Sequence, residues 1–256
     1  MPQTTIFVRP PGVPESAPAA VETRELSRLF GGGVALGGLS IRIEPGAAVM
    51  VEGSNGAGKT TLLRILATAL RPSFGTVLLD GIDAVATPER VRPRIGLLGH
   101  ATALYDDLTA SENLRFAATM SGIPSPDVEP RIGTALARVE MASTANHRVG
   151  GFSAGMRRRV ALARLLLGHP RLVLLDEPLT ALDASAVDLL DGLLADWAGQ
   201  GTTVVIASHL ADRLGAPIHG CLQLENGRLA RVSGPGIAEV VPGREQLAAA
   251  LPSASW

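Results

Sequence analysis

An eight-residue stretch of the chain carries the residue types that bind phosphate. It has the spacing Gly-x-x-x-x-Gly-Lys-Ser/Thr and consists of Gly53, Ser54, Asn55, Gly56, Ala57, Gly58, Lys59 and Thr60. Glycines let the backbone turn tightly so that its N–H groups point at phosphate oxygens. The lysine can reach the β- and γ-phosphates, and the threonine hydroxyl can ligate Mg²⁺. The stretch therefore predicts a phosphate-binding loop.

The residues on either side of this loop favour the same interpretation. Residues 49–52 read as a strand, and residues 61–66 read as a helix whose first residue, Thr61, joins the predicted nucleotide contacts. The N-terminus of that helix adds partial positive charge to an anion site. The alternative is a glycine-rich turn without nucleotide, which the strand–loop–helix order and the Lys-Thr ending disfavour.

A second group of polar residues follows a continuous apolar run at residues 172–175, which is typical of a strand covered on both faces. The run ends in Asp176, Glu177 and Pro178. In phosphate-loop NTPases, a strand ending in Asp orients Mg²⁺. Glu177 is then placed to polarise a water that attacks the γ-phosphate. The alternative is a strand that ends in solvent-facing acids.

Composition limits the possible classes of protein. The chain has 256 residues, 46% hydrophobic residues and a net charge of −1, so no overall basic field indicates a nucleic-acid partner. Its densest basic run, Arg157 to Arg159, is interpreted as a solvated helix face or helix start. Cys221 is the only cysteine, which excludes an intramolecular disulfide and fits a reducing compartment. With neither a secretory signal nor an apolar stretch of roughly 18 to 20 residues, we expect a cytosolic protein that reaches a membrane through a partner.

Periodicity predicts an α/β core interrupted by a helical insert. We expect a flexible tail over 1–20, a core over about 21–100 and 165–232, a helical subdomain over about 101–164, and a C-terminal tail over 233–256. Thr109 and Glu112 fit a capping box, and Ser125 before Pro126 fits an N-cap. The Asn-Gly pair at 226–227 predicts a hairpin.

A third motif identifies a family. Ser153 and Gly155 lie in the run Phe-Ser-Ala-Gly-Met at 152–156, before a helix with the pattern Arg-x-x-x-Ala-x-Ala. This run resembles the signature Leu-Ser-Gly-Gly-Gln of the ABC transporter ATPases, whose Ser and second Gly contact the γ-phosphate bound by the opposite subunit. Ala154 lies between the two matched residues. Met156 replaces the usual Gln and lacks its polar group.

The resemblance extends over about residues 22–231 through further motifs in the family's order. Residues 180–183, ending in Asp183, resemble the D-loop that helps bind the two subunits together. His209 matches the switch histidine that contacts the γ-phosphate. Phe30 matches an aromatic residue that stacks on adenine, with core packing as the alternative role.

His100 distinguishes a subfamily. Most relatives carry Gln in this loop, where it senses Mg²⁺, whereas this chain reads Leu-Gly-His at 98–100. That spelling, together with Val-Glu-Gly-Ser-Asn-Gly-Ala-Gly at 51–58, resembles the ATP-binding subunit of the haem exporter of cytochrome c maturation. We hypothesise that His100 replaces the sensor Gln, since an imidazole can bond bound water and change charge near physiological pH. The alternative is a spacer residue.

The resemblance implies an α/β P-loop NTPase with a RecA-like core sheet, an antiparallel β part and a helical subdomain. It implies an ATPase that uses ATP and Mg²⁺, with Lys59, Glu177 and His209 as catalytic residues and Thr60 and Asp176 at the metal. Its expected partners are transmembrane transporter subunits and a second copy of itself or a homologous ATPase subunit, on the cytoplasmic face of the membrane. The alternatives are a general multidrug or lipid exporter subunit, a soluble ABC ATPase outside transport, and a regulatory subunit that binds nucleotide without hydrolysis.

Overall fold

A computed structural model describes residues 18–179, 184–208 and 214–239. Two sheets form its framework. Strands β3 (Ala48–Glu52), β6 (Ile95–Leu98), β7 (Leu172–Asp176), β8 (Thr203–Ala207), β9 (Gly220–Glu225) and β10 (Arg228–Ser233) form a sheet with the order β10-β9-β3-β8-β7-β6. Strands β1 (Val21–Phe30), β2 (Gly33–Ile43), β4 (Phe74–Leu79), β5 (Ile82–Asp83) and β11 (Ile237–Glu239) form a second sheet with the order β11-β2-β1-β4-β5.

The first sheet is parallel where it carries the predicted site. Strand β3 pairs in parallel with β8, β8 with β7, and β7 with β6, so these four strands end at the same edge. Every residue of β7 and β8 is buried, as a parallel sheet covered on both faces requires. Leu174 and Val205 pack into one hydrophobic cluster and Val173 and Leu175 into another, so apolar side chains cover both faces.

The second sheet is antiparallel. Strands β1 and β2 form a long hairpin, and β4 pairs with the other side of β1. Strand β11 pairs with β2 through Ile237 and Ile43. The sequence places residues 237–239 in a C-terminal tail, whereas the structure adds them to this sheet, with Ile237 2% exposed. The predicted hairpin at 226–227 is present between β9 and β10.

The helices comprise α1 (Lys59–Leu66), α2 (Pro88–Val91), α3 (Ala110–Met120), α4 (Ser125–Arg138), α5 (Ala154–Leu165) and α6 (Ala184–Gly199). The capping box is confirmed: Thr109 Oγ1 accepts from the Glu112 amide at 3.1 Å, and Glu112 accepts from the Thr109 amide at 2.8 Å. The predicted N-cap at Ser125 is wrong. Pro124 takes the cap position and Ser125 begins the helix, so Pro126 is the second helical residue.

Helices α3, α4 and α5 pack on one another and form the helical insert expected from the sequence. Helix α5 also packs against β6, which connects this insert to the parallel sheet. Among the described residues, no helix is long and apolar enough to cross a bilayer. The α/β class with a separate antiparallel sheet and a helical subdomain is confirmed.

Candidate nucleotide site

An open cleft of about 460 Å³ lies at the edge where the parallel strands end. It is lined by residues of the phosphate loop and helix α1, by one residue of β2, and by two residues that follow β6 and β7, namely Ala35, Ser54, Asn55, Gly56, Ala57, Gly58, Lys59, Thr60, Thr61, His100 and Glu177. Ligands of open α/β sheets bind at this edge. The structure therefore brings most of the predicted nucleotide-contacting residues into one cavity.

Two glycines of the loop have backbone conformations that exclude side chains. Gly53 has φ +145°, and a Cβ there would lie 2.4 Å from the Leu224 carbonyl oxygen. Gly58 has φ +104°, and a Cβ there would lie 2.6 Å from the Ala35 carbonyl oxygen. These close backbone contacts hold the loop in its tight turn, which is the property that the glycine spacing predicts.

Lys59 lies inside the loop and begins helix α1. Its side chain is only 7% exposed, and its Nζ donates to the carbonyls of Gly53 at 2.6 Å and Ser54 at 3.2 Å. The cap residue, Gly58, offers no side-chain acceptor to the first turn of α1. Amide groups of such a turn are available to an anion, and the helix dipole favours negative charge there. The ammonium group and the helix terminus thus converge on the loop.

Thr60, which lines the cleft, is hydrogen-bonded to Asp176, although 116 residues separate them in the sequence. The Thr60 hydroxyl donates to Asp176 Oδ1 at 3.1 Å, and Asp176 is 3% exposed. A hydroxyl and a carboxylate oxygen are hard ligands that suit Mg²⁺, which takes its remaining ligands from water and substrate phosphates. In the described part of the chain no cluster of three or more His, Cys, Asp or Glu side chains could hold a metal by itself. The pair fits a magnesium ion that arrives with nucleotide.

Glu177 follows Asp176 and adopts an uncommon backbone conformation. Its φ is +48°, in the left-handed region that non-glycine residues rarely occupy. Its amide donates to the Ala207 carbonyl at 2.8 Å, which ties the turn to the end of β8. Glu177 lines the same cleft as the phosphate loop. A carboxylate in this cleft can meet a water beside a bound phosphate.

Arg158 of α5 lies directly beneath this turn, and sequence reasoning missed it. Its Nη2 donates to the carbonyls of Asp176 at 2.6 Å and Glu177 at 2.8 Å, and Nη1 donates to the Gly99 carbonyl at 2.7 Å. Burial lowers the pKa of Arg158, and the nearby charges of Asp176 and Glu177 partly restore it. The interpretation of this basic run as a solvated face is wrong for Arg158, which is only 5% exposed.

The signature residues lie elsewhere on the surface. Ser153 caps helix α5, where its Oγ accepts from the Met156 amide at 3.2 Å. Ser153 and Ala154 are exposed and Gly155 is half-buried. None of these three is among the described residues that line the cleft. The segment is thus open to contact from outside its own chain.

Phe30 lies at the end of β1, 46% exposed, so it does not pack in the core. The Arg28 guanidinium lies 4.4 Å from the centre of its ring and covers one face. The predicted stacking of adenine on Phe30 stays a prediction. His209 and the segment 180–183, which includes Asp183, lie outside the described residues.

Comparison with known proteins agrees with this geometry. A profile of the family described as ABC transporter matches residues 36–180. The cytochrome c biogenesis ATP-binding export protein CcmA of Paraburkholderia xenovorans is 42% identical over 194 residues, which cover 70% of this chain and 85% of that protein. The ABC transporter ATP-binding protein NatA of Bacillus subtilis is 38% identical over 192 residues, or 75% of this chain and 78% of that protein.

A solved structure shows the same similarity. The ATP-binding cassette MJ0796, determined as a dimer in a post-hydrolysis state bound to ADP and Pi, superposes with a TM-score of 0.78 at 26% sequence identity. The match covers 84% of this chain and 98% of that chain. ADP and Pi, which that protein carries, are the products of ATP hydrolysis.

The close contacts of Gly58 generate a prediction. Gly58→Ala should weaken ATP binding by on the order of tenfold or more, because a Cβ at φ +104° displaces the loop from the Ala35 backbone. Titration with a fluorescent ATP analogue measures the effect. Gly168→Ala is the matched control, since a Cβ there meets no atom within 4 Å and Gly168 lies outside the cleft. Equal affinities of the two variants would contradict the prediction.

Proposed function

Since the chain belongs to the ABC transporter family as its ATP-binding, ATP-hydrolysing subunit, we propose that it powers an exporter of the cytochrome c biogenesis type. The ATPase site is supported by one observation: Lys59, the Thr60–Asp176 pair and Glu177 lie together at one cleft. The finer assignment to cytochrome c biogenesis draws support from the identity with CcmA and from His100 at the cleft.

Each side chain of the cleft has a proposed role in hydrolysis. Lys59 and the first turn of α1 bind the phosphates, and Thr60 and Asp176 hold Mg²⁺, which neutralises phosphate charge when bound. Glu177 accepts a hydrogen bond from the attacking water and orients it toward the γ-phosphate. A loose transition state of phosphoryl transfer needs such positioning and charge stabilisation more than covalent help. Phe30 offers its uncovered face to adenine.

The proposed assembly is a head-to-tail pair of ATPase subunits, the second being another copy or a homologue. Ser153 and Gly155 of one subunit then contact the γ-phosphate held by its partner. Asp183 helps bind the two subunits together, and His209 contacts the γ-phosphate held by its own subunit. Support comes from the exposure of Ser153 and from the dimeric state of the similar cassette. Transmembrane subunits on the cytoplasmic side of the membrane are the proposed receivers of the resulting motion.

A second candidate is the ATPase subunit of another ABC transporter, such as a general multidrug or lipid exporter. This second candidate is supported by the 38% identity with NatA, which is close to the 42% identity with CcmA. Both candidates use the same cleft chemistry and differ in the transmembrane partner. The experiment that separates them therefore measures a cellular product.

Glu177→Gln tests the hydrolytic site. We expect the turnover number of the purified chain to fall on the order of 10²-fold or more, because the amide accepts the water's hydrogen bond less strongly than a carboxylate. Binding of a fluorescent ATP analogue should persist, since the phosphate loop is unchanged. Turnover at the wild-type rate would remove Glu177 from the proposed role.

His100→Gln and His100→Ala test the proposed sensor. ATPase rates are measured between about pH 5.5 and 8, and we expect His100→Gln, whose amide can also bond a bound water, to stay closer to the wild-type rate than His100→Ala does. His100→Ala should lower the rate about tenfold at every pH, since a catalytic hydrogen bond is lost. Wild-type rates for both variants across this range would make His100 a spacer.

Complementation tests the proposed transporter type. In a bacterium that lacks its own cytochrome c biogenesis export ATPase but keeps the membrane subunits of that exporter, this chain should restore haem-stained c-type cytochromes on denaturing gels. Lys59→Ala is the matched control and should not restore them, because it removes the ammonium group from the phosphate loop. Restored drug or lipid export without cytochromes would favour the second candidate.

A further inference from the structure

The guanidinium of Arg158 connects helix α5 with the Asp176–Glu177 turn and with the loop of Gly99 and His100. It lies on α5, 5% exposed, under the carboxyl ends of β6 and β7. One nitrogen, Nη2, reaches both carbonyls of the Asp176–Glu177 turn, at 2.6 and 2.8 Å. The other, Nη1, donates to the Gly99 carbonyl at 2.7 Å and lies 3.5 Å from the carbonyl of His100.

The two carbonyls bound by Nη2 fix the backbone of Glu177. The Asp176 carbonyl precedes the Glu177 Cα and the Glu177 carbonyl follows it, so their relative position depends on the φ and ψ angles of Glu177. That φ is +48°, a left-handed conformation that is strained for a non-glycine residue. A single donor within 2.8 Å of both oxygens favours this conformation over the extended one. The direction of the Glu177 side chain follows from it.

The charge of Arg158 also suits this location. A buried guanidinium is costly unless its donors are satisfied and opposite charge is close. Here backbone carbonyls accept hydrogen bonds from both terminal nitrogens, and Asp176 and Glu177 supply the negative charge, while the buried Nε has no partner among the described residues. The planar guanidinium of an arginine can donate at once to the carbonyls at the end of β6 and at the end of β7, whereas the ammonium of a lysine is a compact donor on a flexible stem.

We propose that Arg158 is a positioning residue for ATP hydrolysis, which holds the Asp176–Glu177 turn so that the Glu177 carboxylate meets the attacking water. This role rests on the proposed function of Glu177. It also ties that carboxylate to the loop of His100, because the same guanidinium binds Gly99. A movement of α5 or of the loop would therefore change the orientation of Glu177.

Arg164 provides a matched comparison on the same helix. It is half-buried, its burial lowers its pKa, and it donates to the carbonyls of Ala103 at 3.2 Å and Leu97 at 3.4 Å. These contacts hold the segment around His100, but they do not include the Asp176–Glu177 turn. Arg164 thus shares the helix, the charge and the neighbouring loop of Arg158 while lacking the contact that defines the proposal.

The first experiment separates turnover from binding. Arg158→Gln, whose shorter uncharged side chain cannot reach both carbonyls and Gly99, should lower kcat on the order of 10²-fold, as displacement of a catalytic group by about 1 Å does. The affinity for a fluorescent ATP analogue should stay within about twofold of wild type, because the phosphate loop is untouched. A wild-type kcat would overturn the proposal.

A double-mutant cycle then asks whether Arg158 acts through Glu177. In single-turnover assays, Arg158→Gln should lower the rate of wild type strongly but the rate of Glu177→Gln by no more than about twofold. Arg164→Gln should lower both rates by the same factor. Equal losses from Arg158→Gln in the two backgrounds would overturn the positioning role.

Two further outcomes are decisive. If Arg158→Gln does not bind ATP, Arg158→Lys is measured in the same way, and retained affinity with low kcat supports the proposal. Loss of ATP binding in both variants means that Arg158 only maintains the fold, which overturns it. Wild-type turnover of Glu177→Gln alone would show instead that the proposed function of Glu177 has failed, and the positioning role would fall with it.

Discussion

The parallel pairing of β3, β8, β7 and β6 is the constraint on which the site depends. Because these strands run in one direction, their carboxyl ends lie at one edge, and the chain delivers a different group from three of them. Strand β3 leads into the phosphate loop, β7 into Asp176 and Glu177, and β6 into His100. Strand β8 lies between β3, which leads to Thr60, and β7, which ends in Asp176. The 3.1 Å hydrogen bond from Thr60 to Asp176 therefore depends on the pairing register of all three strands.

Burial of charge at this edge is stable only because each charged group has partners. Lys59, Asp176 and Arg158 are all less than a tenth exposed, and an unpaired charge at such a depth would cost several kcal/mol. Loop carbonyls accept from Lys59, the Thr60 hydroxyl donates to Asp176, and strand-end carbonyls accept from Arg158. The same contacts that offset desolvation also fix orientation. Stability and positioning therefore arise from one network.

Local patterns in the sequence predicted much of this arrangement. The apolar runs of β7 and β8, the capping box at Thr109 and the glycine spacing of the phosphate loop each depend on neighbours in the chain. Arg158 was not predicted, because its burial depends on how α5 packs against strand ends that lie 59 and 18 residues away. Strand β11 was not predicted either, since three residues carry little periodicity and their partner is β2. Long-range packing decided both.

Helix α5 connects two surfaces that function separately in the proposed pair. Ser153 caps its exposed N-terminus, and Arg158 lies five residues further along, about 7.5 Å at the usual helical rise. If Ser153 binds the nucleotide held by the partner subunit, then one helix, α5, both makes that contact and, through Arg158, holds Glu177 beside the nucleotide of its own subunit. A shift of α5 on binding at one site would then alter the water-orienting carboxylate at the other. Since coupling free energies are reciprocal, each nucleotide would bias the site that holds the second.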